Sequence, residues 1–352
     1  MIDNRSKKLS GEEDMMPVRE EFKPYAMKLG FPESETIGKI FSILFDDEDS
    51  VRLARALPGS FQELSDRTGM PLATVRDLVE KLKWRGAIGR VLAKPDYYRL
   101  FPAMIELRDS SIMNPDAPVE LFTLWDKLIH EEMPALVSLL KALNPPPMMR
   151  VIPIERSVES QGRVLDIDSA RKLFKDAALI TAIPCPCRTQ ARKVGKGKDC
   201  PAPATAMCMQ IGQFAEAILD RGLGERLTNE EALKRLGEAE DAGLVHLIRN
   251  NWKKDMFMCN CCSCCCTGLF MINQAGYAAS YAPSRFRVKL DAELCTGCGI
   301  CEDRCQFHAI KMNGIALIDL EKCYGCGNCV IKCPVDALIL EEIRPETHIR
   351  IT

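Results

Sequence analysis

The distribution of cysteine constrains this chain more than any other feature of its sequence. Eighteen cysteines occur among 352 residues, none precedes Cys185, and all fall in three dense groups. Such grouping is typical of metal ligation, because soft metals bind thiolates. The N terminus lacks the apolar core of a secretory signal. We therefore expect a cytoplasmic protein of an anaerobe, with reduced thiols rather than a disulfide framework.

The charge balance excludes a strong overall attraction to nucleic acid or to anionic membranes. The chain has 47 basic and 49 acidic residues, and it contains no long uninterrupted apolar stretch. A membrane-spanning helix needs roughly 18 such residues, so we expect no membrane insertion. The length and a hydrophobic content of 47% allow several domains with cores of their own.

Composition and periodicity divide the chain into segments and predict a multidomain α+β fold. Residues 1–30 are polar and interrupted by proline and glycine, which predicts a loosely packed arm. Apolar residues at helical spacing predict a helical domain over residues 31–143. The run from Asn144 to Pro147 predicts a linker. Residues 148–284 predict a mixed α/β, cysteine-rich middle domain, and residues 285–352 a separate C-terminal domain.

A winged-helix-like pattern lies inside the helical domain, at about residues 49–101. Gly69 marks a turn between two short helices, Pro71 opens the second helix, and strand-like runs flank Pro95. The order helix, turn, helix and hairpin resembles a winged helix.

The second of these helices, Pro71–Trp84, would be the recognition helix if the domain bound DNA. Its basic residues Arg76, Lys81 and Lys83 are opposed by Asp77 and Glu80, which leaves one net positive charge. Surfaces that bind DNA phosphates usually carry several unopposed cations. We therefore expect no DNA binding, and instead docking or a homodimer through this domain.

The last eight cysteines form two copies of one motif. Each copy has the spacing C-x2-C-x2-C-x3-C, which places three thiolates on one tight loop that can hold three corners of a cubane. Glycines such as Gly297 and Gly325 would let the loop curl around the sulfides. The first copy comprises Cys295, Cys298, Cys301 and Cys305, and the second comprises Cys323, Cys326, Cys329 and Cys333.

These motifs resemble those of the bacterial two-cluster ferredoxins over about residues 286–342. The resemblance implies two [4Fe-4S] clusters with crossed ligation. One cluster would be held by Cys295, Cys298, Cys301 and Cys333, and the other by Cys323, Cys326, Cys329 and Cys305. Pro334 follows the second motif as in the family, whereas Gln306 stands where the first motif often has proline. A pair of zinc sites is the alternative with less support, since four cysteines at this spacing crowd one loop more than structural zinc needs.

Ten further cysteines lie in the middle domain. They are Cys185, Cys187, Cys200, Cys208, Cys259, Cys261, Cys262, Cys264, Cys265 and Cys266. If the final run is helical, Cys259, Cys262 and Cys266 share one face and Cys261 and Cys265 share another. The run would then give two or three ligands to a third iron–sulfur cluster, which Cys185 and Cys187 would complete.

Two alternatives for these cysteines stay open. The four earlier cysteines of the middle domain could hold zinc, and single cysteines could be buried small thiols. The order of CPCR, two spaced cysteines, GLVH and CNCC resembles multidomain ferredoxin-like iron–sulfur proteins of anaerobes with a winged-helix-like N-terminal region, a resemblance that implies no activity.

Three polar residues are candidates to donate hydrogen bonds to sulfides or to a bound anion, namely Arg188, His246 and Asn250. A histidine near a helix end is more often a satisfied cap than a functional group, so a purely structural role is the alternative for His246.

The motifs together favour electron transfer. The chain has no flavin, nicotinamide or Walker fingerprint in a strand-to-helix context, so we expect any hydride chemistry to lie in a redox partner protein. We expect an electron-transfer protein, or the electron-delivering subunit of an oxidoreductase, rather than a stand-alone enzyme. The alternatives are a redox-sensing winged-helix transcription regulator and an iron–sulfur reductase with its catalytic site in the middle domain.

Overall fold

A computed structural model describes residues 18–159, 169–205, 207–251 and 257–349. The chain divides into two compact units. One unit comprises residues 1–89 and 96–128, and the other comprises residues 90–95 and 129–352. In the described part of the chain, no helix is both long enough and apolar enough to cross a membrane.

The first unit is mainly helical. Its helices are α1 (Lys23–Leu29), α2 (Glu35–Leu44), α3 (Glu48–Ala56), α4 (Phe61–Thr68), α5 (Leu72–Trp84), α6 (Met104–Ile112) and α7 (Val119–Lys127), with a 3-10 turn at Glu20–Phe22. Its strands are β1 (Gly59–Ser60), β2 (Ile88–Arg90) and β3 (Tyr97–Leu100), in the sheet order β1-β3-β2.

The prediction of a loosely packed N-terminal arm is wrong for residues 18–30. Residues 1–17 of that arm lie outside the described residues, but residues 18–30 form the 3-10 turn and α1. Phe22 and Tyr25 are buried, and their rings lie 5.2 Å and 5.3 Å from the ring of Phe41. Pro24 stands in the first turn of α1 and Gly30 ends the helix with φ of 93°. The residues interpreted as loop signals are therefore helix boundaries.

The α4–α5 pair begins with a capping box. The Ser60 hydroxyl accepts a hydrogen bond from the Glu63 backbone N–H, and the Glu63 carboxylate accepts one from the Ser60 backbone N–H. Leu64 of α4 and Val79 of α5 are fully buried, which fixes the two helices around Gly69. The winged-helix interpretation of this segment stays a prediction.

The second unit contains the remaining elements. Its helices are α8 (Val137–Leu143), α9 (Arg156–Glu159), α10 (Ala170–Lys175), α11 (Pro186–Lys193), α12 (Gln213–Asp220), α13 (Asn229–Asp241), α14 (Thr267–Asn273) and α15 (Ile300–Asp303). A π-helical turn at Leu128–Glu132 and a 3-10 turn at Met133–Leu136 precede α8, and further 3-10 turns lie at Ala278–Ser280 and Glu346–His348. Its strands are β4 (Met149–Ile152), β5 (Ile180–Ile183), β6 (Cys208–Ile211), β7 (Glu225–Leu227), β8 (Val245–Arg249), β9 (Phe257–Cys261), β10 (Phe286–Leu290), β11 (Ile310–Asn313), β12 (Ile315–Ile318) and β13 (Leu338–Glu342).

A six-stranded sheet organises the cysteine-rich region. The strand order is β4-β8-β9-β6-β5-β7, and each neighbouring pair is antiparallel. Phe174 of α10 and Leu236 of α13 pack against Met209 and Met258 in one apolar core. Because β6 and β9 are neighbours, Cys208 and Cys259 come close together in the middle of this sheet although they are far apart in the sequence.

The C-terminal region consists of two antiparallel strand pairs, β10 with β13 and β11 with β12. Its small core contains Phe286, Val288 and Leu340 together with cysteine side chains. The fold is thus mixed helix and sheet, with the cysteines confined to the second unit.

Candidate metal centres

The eight C-terminal cysteines line two separate cavities. The first has about 330 Å³ of empty space and is lined by Cys295, Cys298, Cys301 and Cys333 together with apolar residues such as Leu290 and Leu338. The second has about 360 Å³ and is lined by Cys305, Cys323, Cys326 and Cys329, with Phe307 and Leu340 among its walls. Each cavity therefore combines three cysteines of one motif with the last cysteine of the other.

The backbone around these cavities requires glycine at two positions. Gly297 has φ of 70°, and a Cβ there would lie 2.1 Å from the Gly314 carbonyl oxygen. Gly325 has φ of 67°, and its Cβ would lie 2.0 Å from the Phe286 carbonyl oxygen. Both loops can curl only without a side chain at these points. The Ala309 N–H donates to the Cys305 sulfur at 3.2 Å, a contact that stabilises a thiolate.

Residues 294–337 match the family of the 4Fe-4S dicluster domain. The C-terminal region is a ferredoxin-like iron–sulfur domain. No curated protein and no solved structure matches the chain. The cysteines outside this dicluster domain can therefore be interpreted only from their own geometry.

Six of the ten middle cysteines form a closed sequence of thiol contacts, which we call the thiol ring. In order around the ring they are Cys185, Cys187, Cys266, Cys261, Cys259 and Cys208, and Cys208 contacts Cys185 again. Hydrogen bonds from Cys185 and Cys259 lower the pKa of Cys208 well below its usual range, although burial opposes this shift.

The sheet assembles this ring from four places in the chain. Cys259 and Cys261 are two residues apart on β9 and therefore point to the same side of the sheet. Cys208 lies on the neighbouring strand β6. Cys185 and Cys187 begin α11, and Cys266 precedes α14.

The helical interpretation of the cysteine run is therefore wrong. The run begins as a strand, because residues 257–261 pair with both β8 and β6. On that strand Cys259 and Cys261 share a side, whereas Cys262 belongs to a different group of thiols.

The remaining four thiols form a compact four-thiol site of Cys200, Cys262, Cys264 and Cys265. All four sulfurs lie within 4.8 Å of one another, and neighbouring pairs are separated by 3.5, 3.3 and 3.6 Å. The last three cysteines come from the turn between β9 and α14. The alternative of one zinc site made by Cys185, Cys187, Cys200 and Cys208 is wrong, because only Cys200 of these belongs to the four-thiol site.

Arg188 lies between the two thiol groups. Its side chain is buried, and one guanidinium nitrogen donates to the Asn260 carbonyl at 2.5 Å and lies 3.8 Å from the Cys262 sulfur. Burial lowers the pKa of this group, but the charges of Cys185, Cys262 and other thiolates outweigh burial and raise it overall. Arg188 therefore stays cationic and offsets negative charge on both sides.

The other two polar candidates lie outside the thiol groups. His246 Nδ1 is 2.6 Å from Asn260 Oδ1, while its Nε2 is 3.8 Å from the Glu240 carboxylate. Because the Asn260 amide donates to the Met207 carbonyl, Asn260 Oδ1 is the acceptor and His246 Nδ1 the donor. Asn250 donates to the Pro147 carbonyl at 3.1 Å. His246 thus supports Asn260, and the described contacts of Asn250 give it no role at the thiols.

An apolar and aromatic contact region joins the thiol ring to the dicluster domain. Cys261 and Cys266 pack in one buried group with Tyr281, Phe307 and Tyr324, and Cys305 and Cys326 border that group. The Phe307 and Tyr324 rings are stacked with centroids 4.3 Å apart. The Tyr281 hydroxyl lies 3.0 Å from the Cys266 sulfur.

Gln306 forms a second connection. Its side-chain oxygen accepts a hydrogen bond of 2.7 Å from the Ser263 N–H, and its side-chain nitrogen donates to the Gly243 carbonyl at 3.2 Å. Ser263 lies between Cys262 and Cys264, while Gln306 directly follows Cys305. Proline at position 306 could not make these contacts, which gives a physical reason for the departure from the ferredoxin pattern.

Sequence reasoning missed Tyr281 and Asn260. Tyr281 contacts Cys266 directly and belongs to no recognisable motif, whereas Asn260 lies within CNCC and reaches the thiols through Arg188. The only local signal was at Gln306, where an unusual residue in a regular motif marked the interface.

Proposed function

We propose that the chain is an iron–sulfur electron-transfer protein whose dicluster domain exchanges single electrons with a further cluster held by the thiol ring. In the dicluster domain, the two cavities support two [4Fe-4S] clusters with crossed ligands. Cys295, Cys298, Cys301 and Cys333 would hold the first, and Cys305, Cys323, Cys326 and Cys329 the second. Such clusters supply one-electron oxidation and reduction.

The geometry of the thiol ring favours a polynuclear cluster. Within the described residues, only one group has three or more ligand atoms of His, Cys, Asp or Glu within 4.8 Å of one another, and that group is the four-thiol site. The ring thiols therefore contact one another only as neighbours. Four thiolates around a single metal must all be close together, whereas a cluster binds different thiolates through different irons.

The contact region between the ring and the second cavity carries the proposal. Tyr281, Phe307 and Tyr324 fill the space from Cys266 to Cys305 and Cys326, and they are buried. They exclude water and hold the two groups of thiolates at a fixed separation. This arrangement suits rapid electron exchange between two centres. Two domains that worked independently would not need such a buried contact.

The exposure of the centres supports an entry point at the first cavity. Cys298 is exposed, and the nearby side chains of Leu294 and Ile300 are 50% and 39% exposed. This apolar rim suits transient docking of a redox partner protein. None of the six ring cysteines is exposed: Cys208, Cys261 and Cys266 are buried, and Cys185, Cys187 and Cys259 are partly buried. Burial thus favours an electron-transfer component over a reductase acting at the ring.

Electron exchange can be tested by redox titration with EPR on the anaerobically prepared chain. If the ring cluster and the second-motif cluster are neighbours, their reduced signals should broaden each other when both carry an unpaired electron. Two additive signals throughout the titration would contradict the proposal.

The regulator alternative has little support from the described residues. Lys81 pairs with Asp46 and Asp47, Lys83 pairs with Glu80 at 2.7 Å, and the Arg76 guanidinium lies over the Phe61 ring at 4.3 Å. The cations of α5 are therefore not free to track phosphates.

Selection against random genomic fragments in both redox states tests the regulator alternative. We expect no reproducible DNA site. A site whose affinity changes on cluster reduction would favour the regulator over the electron carrier.

A further inference from the structure

We propose that the four-thiol site binds one Zn²⁺ ion through Cys200, Cys262, Cys264 and Cys265. Tetrahedral zinc has zinc–sulfur bonds of about 2.3 Å, which places its four sulfurs about 3.8 Å apart. The sulfur pairs of this site are separated by 3.3, 3.5 and 3.6 Å, and all lie within 4.8 Å of one another. The separations of the four sulfurs are therefore close to those that one tetrahedral ion requires.

The same distances do not fit disulfide bonds or a cubane cluster. Cysteines in a disulfide have their sulfurs about 2.05 Å apart, well below the observed separations. A cubane places each thiolate on a different iron at a different corner, so its thiolates lie farther apart than thiolates that share one metal. The four-thiol site is thus mononuclear, in contrast to the thiol ring.

The ligand set selects zinc among mononuclear metals. Four cysteine ligands with no open position are typical of structural zinc, and divalent zinc binds such a site more tightly than ferrous iron.

Neighbouring residues pack against two cysteines of the site, Cys265 and Cys262, while Cys264 is exposed. Gly197 has φ of 66°, and a Cβ at this position would lie 2.7 Å from the Cys265 sulfur. Ala202, Met207 and Leu244 pack against Cys262 on the other side. A tetrathiolate zinc site carries two net negative charges, and the guanidinium of Arg188 beside Cys262 offsets part of that charge.

The position of the site indicates what the zinc would do. The turn that supplies three ligands directly follows Cys261 and directly precedes Cys266, two members of the thiol ring, and Ser263 in the turn contacts Gln306 of the dicluster domain. A zinc ion would fix the conformation of this turn, and would thereby fix the positions of the ring cysteines relative to the dicluster domain. This role, unlike the zinc site itself, rests on the function proposed above.

X-ray absorption at the zinc edge tests the site on the unaltered full-length chain. The protein should be produced anaerobically with iron and zinc both supplied, and then dialysed against a chelator. We expect about one zinc per chain, coordinated by four sulfurs at about 2.3 Å. Absence of stoichiometric zinc, zinc with nitrogen or oxygen ligands, or a mononuclear iron signal in place of zinc would each overturn the proposal.

Two variants separate this site from the iron centres. Cys264→Ser removes the exposed ligand, and we expect retained zinc to fall at least roughly tenfold while the iron of the dicluster domain stays. Ser263→Ala is the matched control in the same turn and should keep its zinc. Zinc retained by Cys264→Ser would refute the ligand set. A full zinc content with no iron beyond the dicluster domain would instead refute the ring cluster and leave the zinc site intact.

Discussion

The dicluster domain and the cysteine-rich sheet both bring thiols together, but they do so in different ways. In the dicluster domain, the eight cysteines lie between Cys295 and Cys333, and six of them reach their cavities with neighbours from the same tight loop. In the sheet, the ring thiols are spread along the chain from Cys185, directly before α11, to Cys266, directly before α14, and strand pairing brings them together. Local spacing determines the first arrangement, and topology determines the second.

This difference has a consequence for stability. Loops that hold a cluster by local ligands have few other contacts and depend on the metal for their fold. The sheet has an apolar core of its own, including Phe174, Met209 and Met258, which is independent of any thiol. We therefore expect loss of metal to damage the two regions unequally.

The largest expected effect comes from breaking the thiol ring at opposite positions. Cys185→Ser combined with Cys261→Ser should reduce the iron content from about twelve per chain to about eight, because only the ring cluster loses ligands. Iron analysis and EPR after anaerobic reconstitution measure this change.

The matched control for this pair is Cys185→Ser combined with Cys298→Ser, which removes ligands from both regions and should reduce iron further. If the unaltered chain already contains no more than eight irons, the ring does not hold a cluster and the comparison between the regions fails.

The sequence predicted the two regions to very different degrees. Spacing alone placed Cys295 to Cys333 in two motifs, because their ligands are local. It could not divide the ten middle cysteines, since membership depends on the pairing of β6 with β9 and on whether a residue such as Cys262 continues the strand or begins the turn. Helical periodicity was the wrong pattern for Cys259 and Cys261, which lie two residues apart on a strand and point to the same side of it.

A second prediction sharpens the comparison inside the dicluster domain. Cys305→Ser should damage the cluster of the second motif, because Cys305 shares a cavity with Cys323, Cys326 and Cys329. Its EPR spectrum should therefore match that of Cys323→Ser and differ from that of Cys298→Ser, with loss of up to about four irons. A match to Cys298→Ser would contradict the crossed ligation.

A third prediction tests the connection between the regions. Gln306→Ala removes the acceptor of the partly buried Ser263 N–H, while the Gly243 carbonyl keeps the hydrogen bond that Asn328 donates. An unsatisfied buried donor costs about 1–3 kcal/mol, and at this partly buried position we expect the lower end of that range, so iron release to a chelator should accelerate by up to about tenfold. Gln62→Ala, at an exposed position on α4, is the control and should leave the rate unchanged. An unchanged rate in Gln306→Ala would show that this contact does not hold the regions together.

The last expected effect concerns Arg188, which is buried beside the thiols of the cysteine-rich sheet, whereas in the dicluster domain Arg304 lies near Cys326 and Cys329. Reduction adds negative charge, and a buried guanidinium near Cys185, Cys208 and Cys261 stabilises the reduced state. Arg188→Gln should therefore lower the reduction potential of the ring cluster. A charge-assisted contact contributes about 1.5–3 kcal/mol, which corresponds to about 65–130 mV for one electron.

Redox titration of three variants separates charge from packing at this position. Arg188→Lys keeps the positive charge but loses the hydrogen bond from the guanidinium to the Asn260 carbonyl, so it should restore most of the potential. Arg192→Gln removes an exposed charge from the same helix and should change the potential very little, because solvent screens it. If Arg188→Gln leaves the ring potential unchanged but shifts both dicluster potentials, then the charge of Arg188 acts on the dicluster domain. The ring and the dicluster domain would in that case share one electrostatic environment, rather than the separate environments inferred from their contacts.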